Sequence, residues 1–123
     1  MGSLISCSRI ALLLVVWFVS FLAVIPVDVS SGIGLSDKIL HAMAFAVLML
    51  LIDFSWPQTG LTVTKFAAVV AYGVLIEAVQ YFIPYRDASI VDILADVAGM
   101  AVYPMLVPVL QIIPMLKRRW SLV

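Results

Sequence analysis

Four long apolar runs, each close to the ~20 residues a helix needs to cross a hydrocarbon layer, dominate this chain of 123 residues. They are expected at about 9–27, 38–56, 66–84 and 90–114, each able to span a bilayer. Turn formers separate them: Pro26 with Val27 to Ser36, then Pro57 to Thr64, then Pro84 to Ala88. Pro104 and Pro108 fall inside the last run and are expected to kink its second half, since each removes a helix hydrogen bond. With 65% hydrophobic residues and a mean hydropathy of +1.22, the chain is too apolar to coat a soluble core with polar surface. The expected fold is all-α: a polytopic membrane protein, a bundle of four transmembrane helices forming a single domain over residues 1–123.

Charge and cysteine content exclude several classes. Seven Lys and Arg balance seven Asp and Glu, so there is no basic face for nucleic acid, and none is expected as a partner. Cys7 is the single cysteine, which leaves no internal disulfide and no Cys-rich metal site. Leu4-Ile5-Ser6-Cys7 lies ahead of the apolar stretch, whereas a lipoprotein cleavage box follows it, so lipidation is not expected. Arg9 followed by Ile10 to Ile25 has the layout of a signal peptide. Ala23-Val24-Ile25-Pro26 lacks small residues at both cleavage positions, and an uncleaved first span is expected instead.

Basic residues near the span ends set the orientation. Arg9, Lys65, Lys117, Arg118 and Arg119 fall on one side, against Lys38 and Arg86 on the other, which predicts cytoplasmic termini. Trp56 and Trp120 fall at the depth of that inner interface, and Trp17 lies mid-span. The expected location is a membrane, crossed several times.

Nearly all remaining ionisable residues crowd the opposite, outward edge. An ionised side chain in lipid costs about 2.5 to 3.5 kcal/mol even on the lenient insertion scale, so each needs a partner or a purpose. His41 lies four residues beyond Asp37, Glu77 six before Ile83, and Asp96 six after Ile90. At a rise of ~1.5 Å per residue, all three lie ~6 to 9 Å below the outer edge. Helical spacing places Asp37 with His41, Glu77 with Gln80 and Tyr81, and Asp92 with Asp96 on common faces. If those faces converge, they form a pocket of His41, Glu77, Gln80, Asp92 and Asp96, with Lys38 and Arg86 at its rim. Gly73, and the pair Ala95 and Gly99, would allow the backbones to approach.

Some of these residues have local explanations. Ser89 and Asp92 match a capping box, in which the acid reaches back to the first amide. Asp37 follows Ser36 in a first turn, where the helix dipole favours a carboxylate. Glu77 and Asp96 lie beyond any first turn, and Arg86 could snorkel down to them as counter-ion. Asp53, near the inner interface, reads as an ordinary solvated helix end.

Three motifs in this stretch carry a resemblance. Asp37, Lys38 and His41 form an Asp-Lys-x-x-His start; Tyr72, Gly73, Glu77 and Gln80 form Tyr-Gly-x-x-x-Glu-x-x-Gln. Pro84, Arg86, Ser89 and Asp92 form Pro-x-Arg-x-x-Ser-x-x-Asp, followed by Gly99. In this order and spacing, about residues 37–99, the chain resembles the VanZ-like family of small bacterial membrane proteins. It departs from the pattern at Asp96, where many relatives have Asn, and at Tyr103, where a second Gly often follows Gly99. The resemblance implies an integral protein of the cell envelope and a link to antibiotic resistance against the glycopeptide teicoplanin. It implies no particular reaction.

Three functions follow from such a polar layer. The leading expectation is a binding or accessory protein for the head group of an envelope lipid, a glycolipid or a lipid-linked cell-wall precursor. Arg86 and Lys38 would hold phosphate or carboxylate, and Glu77, Gln80 and Asp92 would bond sugar or amide groups. The alternative is a metal-dependent membrane enzyme acting on a lipid-linked substrate, with Glu77, Asp92 and His41 as catalytic candidates. His41, Glu77, Asp92 and Asp96 would then hold a divalent metal as cofactor. A proton or cation relay ranks third, because polar residues confined to the outer half leave no continuous path.

Overall fold

The computed structural model describes residues 2–26 and 36–122. Four long helices run through them: α1 (Gly2–Val24), α2 (Asp37–Ser55), α3 (Val63–Tyr81) and α4 (Ile90–Leu110), followed by a short 3-10 helix (Lys117–Leu122). At 23, 19, 19 and 21 residues, all four are long and apolar enough to cross a membrane. No strand occurs among the described residues. Exposed apolar side chains such as Leu13, Trp17, Phe82 and Met105 cover the outside of the bundle, as a lipid-facing surface requires.

Several element boundaries differ from expectation, and α3 lies three residues earlier than the expected 66–84 at both ends. α1 begins well before Arg9, with the Ser8 hydroxyl donating back to the Leu4 and Ile5 carbonyls at 3.0 Å each. It ends just ahead of Pro26; the breaker expected from Val27 onward lies outside the described residues as far as Ser36. α4 continues through Pro104 and Pro108 and stops at Leu110, four residues short of the expected end at 114. Neighbouring helices in a membrane bundle make such interior prolines tolerable.

The helices alternate in direction, so the start of α1, the end of α2, the start of α3 and the end of α4 share one end of the bundle. α2 is the central element, packed most extensively on α4 and then on α1. The core is a layer of Phe45, Leu48, Met49, Val69, Met100 and Tyr103. A Cβ added at Gly99 would collide with the backbone of Ala42, so α2 and α4 approach closely here.

Asp53 corrects the expectation of a solvated helix end: it is 0% exposed. Its Oδ1 accepts from Lys65 Nζ at 2.8 Å and Arg119 Nη2 at 2.6 Å, while Tyr103 donates to Oδ2 at 2.7 Å. The two cations also serve the α2–α3 connection. Arg119 donates to the carbonyls of Asp53 (2.8 Å), Pro57 (3.0 Å) and Thr59 (3.0 Å), and Lys65 to those of Trp56 (2.9 Å) and Thr59 (2.8 Å). A connection that leaves its carbonyls without helical donors thereby finds them in side chains, and the 3-10 helix is held against the bundle by Arg119. Tyr103 closes this cluster from α4.

Two stability outcomes follow. Gly99→Ala should destabilise the protein by about 1–3 kcal/mol through overpacking, although alanine is the better helix former. Asp53→Ala should cost roughly 3–5 kcal/mol because it strands two buried cations. Equilibrium unfolding in detergent micelles reads both; a neutral or stabilising result at either position contradicts the corresponding packing.

Candidate functional site

The residues expected at the outward edge divide into two groups at the end of the bundle opposite Asp53. The first is built on the opening turns of α2 and α4. Ser36 precedes α2 in an extended conformation, and the next turn carries Asp37, Lys38 and His41 on α2. His41 Nε2 lies 3.9 Å from Asp37 Oδ2, and its Nδ1 lies 2.8 Å from Asp96 Oδ1 on α4. Lys38 Nζ pairs with Asp92 Oδ1 and lies 3.4 Å from Asp37 Oδ2. The cluster opens at Asp37 and Lys38, whose side chains are 55% and 43% exposed, and deepens through His41 (18%) to Asp92 (5%) and Asp96 (3%).

α3 completes it with a gap and a carboxylate. A Cβ at Gly73 would stand 2.8 Å from Asp96 Oδ2 and 3.0 Å from the Phe45 ring, so glycine here makes room for both side chains. One turn later Glu77 is 6% exposed, and its Oε2 accepts the backbone N–H of Ser89 at 2.8 Å. Its other oxygen, Oε1, has no hydrogen-bond partner among the described residues.

The capping box is therefore assembled differently from its sequence pattern. Ser89 does cap α4, its hydroxyl accepting from Val91 N–H at 3.1 Å. The acid that receives the Ser89 amide comes from Glu77 on another helix, while Asp92 turns to Lys38. A cation across the helix interface offers Asp92 more than a backbone amide already served by Glu77.

Gln80 and Arg86 form the second group, directed at the end of α1. Gln80 Nε2 donates to the Ala23 carbonyl at 3.1 Å, the Tyr85 hydroxyl to Val24 at 2.7 Å, and Arg86 Nη2 to Ile25 at 2.7 Å and also to Leu22. The last carbonyls of a helix lack intrahelical donors, and Pro26, having no N–H, cannot serve Leu22. The positive guanidinium also suits the negative end of the helix dipole. Thus two of the expected head-group ligands hold α1 in place, and the snorkelling expected of Arg86 ends on α1 carbonyls. Tyr72 pins the middle of the same helix, donating to the Val16 carbonyl at 3.0 Å and pairing with the Ser20 hydroxyl at 2.8 Å.

What remains at the cluster is an excess of acid: Asp37, Glu77, Asp92 and Asp96 around Lys38 and His41. Asp37, His41 and Asp92 can each offer a ligand atom with all three atoms within 4.8 Å of one another. That trio differs from the expected metal set, since Asp37 stands in it while Glu77 and Asp96 lie outside. Two cavities lie at the opposite end: one of about 380 Å³ beside Trp56 and Lys65, the other of about 260 Å³ between Cys7 and Arg118.

Sequence reasoning missed the contribution of Tyr85 and the whole Asp53 cluster. Proline four residues after Leu22 was the available signal for the former. Asp53 and Lys65 facing each other across a short connection was the signal for the latter.

The sequence profile of the family described as VanZ/LLP1 matches residues 5–111. The match thus takes in α1 and the whole of α4, more of the chain than the 37–99 stretch that carries the motifs. No curated protein matches the chain, and no solved structure does.

Replacing Arg86 by Met should lower stability by about 1.5–3 kcal/mol, the scale of a charged hydrogen bond, and increase amide exchange around Leu22 to Ile25. Hydrogen-exchange mass spectrometry of the detergent-solubilised protein tests this; unchanged exchange there would show that Arg86 does not secure α1.

Proposed function

The chain belongs to the VanZ/LLP1 family, and from that premise we propose that it binds the polar head of an envelope lipid, glycolipid or lipid-linked cell-wall precursor. The binding residues in this reading are Asp37, Lys38, His41, Glu77, Asp92 and Asp96. The carrying observation is that three helices bring these side chains to one end of a membrane-spanning bundle, two of its acids being 5% and 3% exposed beneath a rim 55% and 43% exposed. A ligand reaching that rim from the lipid–water boundary meets carboxylates that accept from hydroxyl, amide and ammonium groups.

The same geometry alters the expected chemistry of recognition. Lys38 lies on Asp92 and Arg86 on the α1 carbonyls, so neither is the phosphate clamp expected from their charges. Sugar hydroxyls or amino groups are the better match to the surplus acid. A location in the bacterial inner membrane, with this end facing away from the cytoplasm, accords with five basic residues at the other end against Lys38 and Arg86 here. Lys65 and Arg119 among those five are buried on Asp53, leaving Arg9, Lys117 and Arg118 as the exposed inner charges. A role in teicoplanin resistance would follow if the bound head belongs to a cell-wall precursor. A relay role is less well supported, because the layer of Phe45, Leu48, Met49 and Met100 separates the two polar ends.

The test is lipid retention. Protein purified from bacterial membranes should carry a lipid with a hydroxyl- or amine-bearing head, identified by mass spectrometry. Asp92→Asn and His41→Ala should reduce its retention by about ten- to a hundredfold, the equivalent of one charged hydrogen bond. Equal retention by folded wild-type and variant proteins would overturn the reading.

A further inference from the structure

We infer that Asp37, His41 Nε2 and Asp92 form a binding site for a divalent transition-metal ion such as Zn²⁺ or Mn²⁺, with Lys38 as the resident cation that the metal displaces. This deepens the reading of the polar end as a binding site, but does not require that its ligand be a lipid.

The imidazole is already oriented for the task. Asp96 Oδ1 stands 2.8 Å from Nδ1, which leaves Nε2 facing Asp37 Oδ2 at 3.9 Å. That separation is too long for a hydrogen bond. It is within a few tenths of an ångström of the spacing of two ligands on one ion, since metal–ligand bonds of about 2.0–2.2 Å set neighbouring donors roughly 3 to 3.6 Å apart. Asp92 brings the third donor: one ligand atom from each of the three residues lies within 4.8 Å of the others, and the half-exposed Asp37 carboxylate can turn to draw the set to coordination distance. A carboxylate behind a histidine is the usual support of a metal-bound imidazole, so Asp96 is a positioning residue here. One imidazole with two carboxylates suits Zn²⁺ and Mn²⁺ better than soft, thiolate-seeking ions.

Two further observations point to a positive guest. Glu77 is 6% exposed, lies within electrostatic reach of Asp92, His41 and Asp96, and has Oε1 without a hydrogen-bond partner among the described residues. Its oxygen lacks a donor in a region already overloaded with acid, as a site for a cation would leave it. Lys38 supplies part of the missing charge by reaching the same two carboxylates, at Asp37 Oδ2 and Asp92 Oδ1. At 43% exposure its side chain can move out into solvent, giving way to an ion of twice its charge. A metal held there would polarise the carbonyl or phosphoryl oxygen of a head group at the rim.

Calorimetric titration of chelator-stripped protein in detergent micelles with Zn²⁺, and separately with Mn²⁺, tests the site without any lipid. Wild-type protein should bind at least one of the two ions saturably, one ion per chain. Asp96→Asn should weaken binding by about ten- to a hundredfold, as loss of a supporting carboxylate does. Asp37→Asn, at an exposed position where folding is not at stake, should weaken it at least about tenfold. Lys38→Met should tighten it about three- to tenfold by removing the competing ammonium. Absence of saturable binding in both wild type and folded Lys38→Met, or binding unchanged by Asp37→Asn, would overturn the proposal. Weaker binding by folded Lys38→Met would overturn the displacement. Metal binding without lipid retention would uphold this site and reject the head-group reading, so the two fail separately.

Discussion

Inside a hydrocarbon layer an unpartnered backbone carbonyl or carboxylate costs several kcal/mol, and no water is at hand to satisfy it. That requirement decides which parts of this bundle meet. The last turn of α1 needs donors that Pro26 cannot supply, and the segment from Gln80 to Arg86 supplies them. The connection between α2 and α3 needs donors too, and Lys65 with Arg119 supplies those, their charges answered by Asp53. Apolar contacts in lipid do not favour helix against helix over helix against lipid, so such polar closures do much of the selection.

The two ends of the bundle use the same residue types to different effect. At the Asp53 end, both carboxylate oxygens have donors, and the group is sealed by Tyr103 and by an arginine 1% exposed. At the other end, among the described residues, acids outnumber cations and Glu77 keeps an oxygen without a donor, while Asp37 and Lys38 remain open. Saturated polar groups hold a fold together; unsaturated ones leave capacity for a guest. This contrast, rather than the mere presence of charge in a membrane, directs attention to His41 and its neighbours.

Glycines decide how close that second end can draw. Gly99 lets α4 meet the α2 backbone at Ala42, and Gly73 leaves the volume that Asp96 and Phe45 fill. With α2 and α4 in contact, Asp96 reaches His41 and Asp92 reaches Lys38. Small residues thus shape this end of the bundle without a polar group of their own.

From sequence alone, the number of spans and their all-helical character were legible, as was the level shared by His41 and Asp96, which meet at 2.8 Å. They depend on run length and on the fixed rise of a helix. The pairing of Asp37 with His41 on one face followed from the same periodicity. The partners across helices were not legible, because segments apolar on nearly every side give little sign of which face turns inward. Hence Arg86 and Gln80 read as ligands although they close α1, Asp92 read as a cap or a ligand although it meets Lys38, and Asp53 read as solvated although it is buried. Each outcome depended on how far helices rotate and approach, and only the packed tertiary structure, satisfying every buried polar group at once, sets those distances.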